Sequence, residues 1–333
     1  MNDLSNQTED FSDIRDAVRS LCQGYPGEYW REKDRKREYP TEFVQALTDS
    51  GFLAVLIPEI YGGSELGIQE AAAILEEIHK SGCNGAACHA QMYIMGTLLR
   101  HGSEEQKKKY LPGIASGELR LQAFGVTEPG SGTDTTSIRT FAKREGDEYV
   151  VNGQKVWTSR AEHSDLMLLL ARTTPKDEVT KRTDGLSVFL VDLRKSLNHG
   201  VTIRPISTMI NHATTEVFID DLRIPAEQRI GEEGKGFRYI LDGMNAERIL
   251  IGAECIGDSR WFIQKASEYA KDRTVFQRPI GQNQGIQFPI AKAYAQSEAA
   301  DLMVRKAATL FDSGKPCGKE ANMAKLLAAD ASW

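Results

Sequence analysis

Phe124-Gly125-Val126-Thr127-Glu128-Pro129-Gly130-Ser131-Gly132-Thr133-Asp134 stands where the sequence changes character, and its reading decides the fold. Gly130 and Gly132 let a backbone come close to a ligand. Exposed amides and the hydroxyls of Thr127, Ser131 and Thr133 can donate to phosphate or carbonyl oxygens, and Pro129 fixes a turn. By composition alone the stretch also suits a plain glycine-rich connector. It is not a dinucleotide-binding glycine motif, because no strand–GxGxxG–helix unit surrounds it.

Upstream of this loop the sequence predicts helices. Residues 41–50 carry Phe43, Val44 and Leu47 at helical spacing, with Gly51 just past the end. Residues 69–80 repeat the pattern, and Ser103 with Gln106 forms a capping-box signature that opens another helix. Downstream the pattern turns to strands. Asn152-Gly153, flanked by residues 149–151 and 155–157, predicts a hairpin turn. Residues 166–170 and 186–193 are short apolar runs that suit strands buried on both faces. Residues 217–219, followed by Arg223-Ile224-Pro225, suit a last strand with an extended exit. From Gly236 helical spacing returns, with long helices over 237–271 and 287–313, a turn-rich segment between them at 278–284, and a third helix from Lys319. The expected fold is α+β: an N-terminal helical domain (1–120), a central β-barrel-like or β-sandwich domain (121–231) and a C-terminal helical bundle (232–333).

Composition narrows the function classes. A formal net charge of −6 argues against nucleic-acid binding by phosphate neutralisation. No apolar run approaches the roughly 20 residues that span a bilayer. The first ten residues are polar and acidic, unlike a secretory signal or an Arg-rich transit peptide, so the cytoplasm is the expected compartment. Five scattered cysteines without a CxxC pair suggest reduced thiols. His79, Cys83, Cys88 and His89 match no common zinc spacing; small buried cysteines and helix-surface histidines account for them, and no metal is expected.

Residues 126–134 resemble the flavin-loop motif of the acyl-CoA dehydrogenase family, with Thr133 in place of the usual serine. Four further stretches resemble that family in its order: Lys155-Val156-Trp157-Thr158-Ser159, Gly234-Lys235-Gly236-Phe237, Glu247-Arg248, and Arg273-Thr274-Val275-Phe276 with Gln284 after it. The resemblance covers nearly the whole chain. It implies FAD as cofactor, an acyl-CoA as substrate, an electron-transfer flavoprotein as electron acceptor, and a homotetramer or at least a dimer. Phe124, Val126, Thr127, Gly132 and Thr133 would then meet flavin, Thr133 reaching flavin phosphate or substrate. Trp157 would lie against the isoalloxazine ring, with Thr158 and Ser159 near its polar edge. Arg273, Phe276 and Gln284 would contact the adenine-diphosphate part of FAD in a neighbouring subunit, and Asn245 and Arg248 the thioester end of the substrate. Two departures stand out: Gln277 replaces a glycine common in that family, and residues 209–213 lack another.

The implied reaction is α,β-dehydrogenation of an acyl-CoA thioester, with α-proton abstraction and hydride transfer to flavin N5. The same scaffold also suits another flavoenzyme, an oxidase or monooxygenase, or a non-catalytic scaffold protein. In the resembled family the catalytic glutamate lies either just before the helix arginine or in a C-terminal stretch. The helix from Lys319 ends without a cap signal at Trp333, so the chain is expected to be C-terminally incomplete. The first position is Glu247 here. Ile240, Met244, Glu247 and Ile251 share one helical face, and a carboxylate within an apolar stripe has its pKa raised toward the working range of a general base. An ion pair between Glu247 and a basic residue of another helix is the competing expectation.

Overall fold

The computed structural model describes residues 11–333; the acidic stretch 1–10 lies outside the described residues. The described chain opens with α1 (Ser12–Cys22), α2 (Gly27–Lys36), α3 (Thr41–Asp49), α4 (Ile68–Lys80), α5 (His89–His101) and α6 (Glu104–Ser116). Local signals set their ends. After α3, Gly51 takes φ 76°, a left-handed conformation that glycine adopts freely. Before α6, Ser103 Oγ accepts from the Gln106 amide at 3.2 Å and the Ser103 amide donates to Gln106 Oε1 at 2.9 Å.

The sheet follows: β1 (Leu121–Gly125), β2 (Phe141–Glu145), β3 (Glu148–Ser159), β4 (Leu166–Arg172), β5 (Leu186–Asp192), one helical turn α7 (Leu193–Ser196), β6 (Val201–Pro205), β7 (Thr214–Pro225) and β8 (Arg229–Ile230). Its order is β6-β7-β3-β2-β4-β5-β8, with β1 parallel to β4. β2 meets β4 only at Phe141–Arg172. Every residue of β4 is buried. Leu166, Leu168 and Leu170 join the core shared with the helices, while Met167, Leu169 and Ala171 join a second core with Tyr149, Val151, Val217 and Ile219. The strand thus separates two cores, which is why its sequence is an apolar run rather than an alternation.

The expected hairpin at Asn152-Gly153 is not formed. β3 runs unbroken through it, and the turn into β3 lies at Gly146-Asp147. Asn152 instead exchanges two 2.9 Å hydrogen bonds with Asp221 of β7, Nδ2 donating to the carboxylate and Oδ1 accepting from the amide. The β3–β7 register slips between Val151 and Gly153. A Cβ on Gly153 would sit 2.4 Å from Thr140 Oγ1 and 2.7 Å from Thr140 Cα. The dipeptide marks an irregularity and a close backbone approach. The strand foreseen over residues 217–219 likewise runs the full length of β7, exit included, and β8 follows it to pair with β5.

The C-terminal part consists of α8 (Gly236–Asp272), a small hairpin of β9 (Thr274–Val275) and β10 (Arg278–Pro279), α9 (Gln284–Asp312) and α10 (Gly318–Ser332). Two glycines seat α8. A Cβ on Gly236 would lie 2.7 Å from Ser187 Cα, and one on Gly257 only 2.3 Å from the Glu76 carbonyl, so α8 packs directly on the β5 and α4 backbones. Arg260 of α8 ties helices together, pairing with Glu76 of α4 and, at 2.9 Å, with Asp301 of α9. The fold is α+β, helices before and after a central sheet. Among the described residues no helix is long and apolar enough to cross a membrane.

Gly153→Ala should destabilise the protein by about 1–3 kcal/mol, the usual cost of overpacking. A lowered urea midpoint at unchanged m-value checks this; an unshifted midpoint would mean Thr140 moves aside freely.

Candidate active site

The glycine loop is held by a buried ion pair. Lys155 of β3 is wholly buried, and its ammonium donates to Glu128 Oε1 at 2.8 Å and to the Val126 carbonyl at 3.1 Å. Glu128 also accepts from the Arg139 and Thr140 amides at 2.6 and 2.9 Å. Burial pulls Lys155 down to about 8 against the opposing pull of Glu128. For Glu128 burial pushes upward, but Lys155 and the amides outweigh it and hold the carboxyl below its ordinary range. Glu128 and Ser131 exchange backbone hydrogen bonds of 3.0 Å across Pro129-Gly130, and the Val156 amide donates to Thr127 O at 2.9 Å. The loop is a fixed turn clamped to β3.

Between this loop and helices α5 and α8 lies an open cavity of about 730 Å³. From the loop side Phe124, Val126, Thr127 and Gly132 line it, and from β3 Trp157 and Ser159. Trp157 takes φ 61° beside a register slip between Lys155 and Thr158, and the residue is 58% exposed. From α8 come Met244, Glu247, Arg248 and Ile251, and Tyr93 and Ile94 of α5 also line it. The α8 stripe foreseen around Glu247 therefore faces the same space as the loop; its first member, Ile240, is buried in the core.

Other expected residues lie off the cavity wall. Thr133 is exposed on the loop, and Thr135 lines the cavity instead. The Thr158 hydroxyl is buried without a hydrogen-bond partner. Asn245 accepts from Arg248 Nη1 at 3.4 Å and faces the start of α10 at Gly318. Arg273, Phe276 and Gln284 are exposed around the β9–β10 hairpin. Arg273 caps the end of α8, 26 residues beyond Glu247, about 39 Å at the α-helical rise. Phe276 and Gln277 form the hairpin turn with φ 51° and 63°, the pattern of a two-residue turn with both central residues left-handed. Gln277 adopts the conformation that glycine would hold more cheaply. Ala213, in the other glycine-poor segment, does the same at φ 48°.

Glu247 is half-buried and makes no hydrogen bond or ion pair within the described residues. Burial raises its pKa, and the opposing pull of Arg248, Arg160 and Lys325 does not cancel that. The cavity also holds residues that sequence reasoning missed: His89, Arg160, His212, and Glu254, which lies two helical turns beyond Glu247. The i+7 spacing of Glu247 and Glu254 was the available signal. His89 and His79 are buried, which corrects their expected place on helix surfaces. Arg160 Nη2 donates to His89 Nε2 at 3.2 Å, leaving Nδ1–H to donate to Glu254 Oε1 at 2.7 Å. All five cysteines are free. Among the described residues no group of three or more His, Cys, Asp or Glu is placed to hold a metal ion.

Known proteins give the arrangement its context. Residues 8–118 match the family description "Acyl-CoA dehydrogenase, N-terminal domain", residues 123–222 the middle domain and residues 234–333 the C-terminal domain. The chain is 35% identical over 331 residues to acyl-CoA dehydrogenase FadE12 of Mycobacterium tuberculosis, covering 98% of this chain and 84% of that protein. It is 34% identical over 330 residues to the 3-(aryl)acrylate reductase of Clostridium sporogenes, covering 98% and 85%. The structure of butyryl-CoA dehydrogenase from Megasphaera elsdenii superposes with a TM-score of 0.89 at 28% identity, covering 98% and 85% of the two chains.

Lys155→Met strands the Glu128 charge and should cost about 3–5 kcal/mol, the penalty for breaking one side of a buried pair. Lys155→Met with Glu128→Gln should lose less than the two single changes summed. Chemical denaturation of the three variants checks this, and strict additivity would mean the pair does not act as a unit.

Proposed function

The chain belongs to the acyl-CoA dehydrogenase family, and from that premise we propose that it dehydrogenates an acyl-CoA thioester at the α and β carbons, with Glu247 taking the α-proton. The observation that carries this reading is Glu247 itself: an unpaired carboxylate with a raised pKa, in one cavity with the glycine loop and Trp157. FAD, when bound, supplies the acceptor for the β-hydride.

Three features support the fit of a flavin. Trp157 is exposed on the cavity wall, the buried Thr158 hydroxyl lacks a partner, and a Cβ on Gly132 of that wall would meet only Thr127 Cγ2, at 4.0 Å. Phe124, Val126, Thr127, Gly132, Thr133, Thr158 and Ser159 are the proposed holders. Arg248 and Asn245, bonded to each other, are the proposed substrate contacts near the thioester. Arg248 lowers the cost of ionising Glu247, while the apolar neighbours Met244 and Ile251 limit water and keep the carboxylate avid for a proton.

Arg273, Phe276 and Gln284 lie around the β9–β10 hairpin, off the wall of this chain's own cavity. We assign them to the FAD of a neighbouring subunit in a homotetramer or dimer. The exposed Phe262, Tyr269, Phe288 and Tyr294 of α8 and α9 support such an assembly. An electron-transfer flavoprotein is the proposed electron acceptor.

Glu247→Gln should retain FAD and acyl-CoA binding yet lose most anaerobic flavin bleaching; near-normal bleaching would move the base elsewhere. In the wild type, the acid limb of the bleaching rate should lie above the ordinary carboxylate range. Stability follows the same shift. A carboxyl whose folded pKa is raised binds more protons folded than unfolded, so its stabilising contribution is complete below pH 4.5 and is lost as pH rises through the folded value. Glu247→Gln should therefore melt higher than wild type at neutral pH and equally below pH 4.5, as read by calorimetry.

Subunit sharing has its own test. Glu247→Gln subunits and Arg273→Glu/Phe276→Ala subunits should regain activity when refolded together, because the mixed assembly pairs an intact cavity with an intact hairpin. Absence of recovery in demonstrably mixed oligomers would place the hairpin outside the flavin site.

A further inference from the structure

The cavity that carries Glu247 does not have an apolar wall throughout. Seven residues further along α8, about 10 Å along the helix axis, Glu254 lines it together with His89, Arg160 and His212. Arg160 and His212 also line a neighbouring cavity of about 270 Å³, so they form a partition between the two spaces.

Arg160 is the unusual member. It is 4% exposed and directly follows the proposed flavin-flanking Ser159. Its backbone is left-handed at φ 60°, a conformation disfavoured for a residue with a side chain, and its amide donates to Ala213 O at 2.7 Å. The guanidinium meets only neutral acceptors: Nη1 donates to the Ala86 carbonyl and Nη2 to His89 Nε2 at 3.2 Å. The Nε–H is buried and has no partner. Among the described residues no carboxylate pairs with Arg160 within 4.0 Å, because Glu254 is taken up by His89. Burial, reinforced by the Arg160 charge, keeps His89 below its ordinary pKa and pulls His212 down to about 4, so both imidazoles stay neutral beside it.

A buried cation with an unmade N–H is costly unless an acceptor reaches it. An alkyl tail pushed along this wall would strip the remaining water and offer nothing in return, whereas an oxygen would complete the guanidinium's hydrogen bonds. We infer that Arg160 is a specificity residue that selects acyl groups whose far end carries an oxygen acceptor, a carboxylate or a carbonyl, over plain alkyl chains of the same length. The inference rests on the acyl-CoA reading of the Glu247 cavity.

The test uses the FAD-loaded protein and three matched series of equal chain length: alkanoyl-, ω-oxoacyl- and ω-carboxyacyl-CoAs. kcat/KM is measured by anaerobic flavin bleaching, and Kd by calorimetry with the unreactive thioether analogues. At the length that reaches Arg160, the oxygen-bearing series should lead in kcat/KM by on the order of tenfold to a hundredfold, mostly through KM, the range for hydrogen bonds to a charged group. Arg160→Met should erase that ratio. Arg160→Lys should keep part of it for the carboxylate and lose it for the carbonyl, since a lysine supplies charge without the planar fork. Alkanoyl-CoAs equal to or better than their oxygenated partners at every length, in rate and in Kd, would overturn the inference. Should Arg160→Met not fold, the wild-type series decides alone. If no thioester bleaches the flavin, the proposed dehydrogenation fails, and the thioether Kd values still report whether the oxygenated tails are preferred.

Discussion

The site depends on one buried ion pair. A lysine taken wholly out of water is expensive, and here the expense is met by a carboxylate that two backbone amides also hold in place. Because Lys155 belongs to β3 and Glu128 to the loop after β1, the pair reinforces the single Val156–Thr127 backbone bond between two segments that share no β-ladder. Thr127 and Trp157, on opposite sides of that junction, thereby face one cavity. A glycine-rich stretch without this anchor would be a connector with many conformations.

The second constraint is the long helix α8. Its 37 residues form one continuous helix, and two glycines let it touch the β5 and α4 backbones directly. The direction of the Glu247 side chain is inherited from those contacts. The same helix shows how environment rather than residue type sets charge. Glu247 has its pKa raised because burial outweighs its cationic neighbours. Glu254, seven residues on, is buried more deeply and still has its pKa lowered, because His89, His79 and Arg160 together outweigh burial. Of two glutamates on one helix face, one is free to accept a proton and the other is held by its neighbours.

Much of the fold was legible in local signals. Gly51 past α3, the Ser103–Gln106 cap and the helical spacing from Gly236 onward all act within a few residues, where chain geometry alone decides. The apolar run of β4 was legible because burial on both faces removes any need for polar alternation. Asn152-Gly153 misled because the dipeptide permits a tight turn without requiring one. Its partners, Asp221 and Thr140, belong to another strand and to the segment before β2.

The sequence by itself determined the order of helical, β and helical blocks, the loop whose Gly132 lines the cavity, and the helical face that carries Glu247. Each follows from residue spacing along a single element. The tertiary structure alone decided that His79 and His89 are buried, that Thr135 rather than Thr133 reaches the cavity, and that Arg160 stands in its wall with no carboxylate in direct contact among the described residues. Burial and partnering are set by contacts across 71 positions for Arg160 and His89 and 165 for His89 and Glu254. Periodicity and capping act over one or two turns of chain and carry no information at that range.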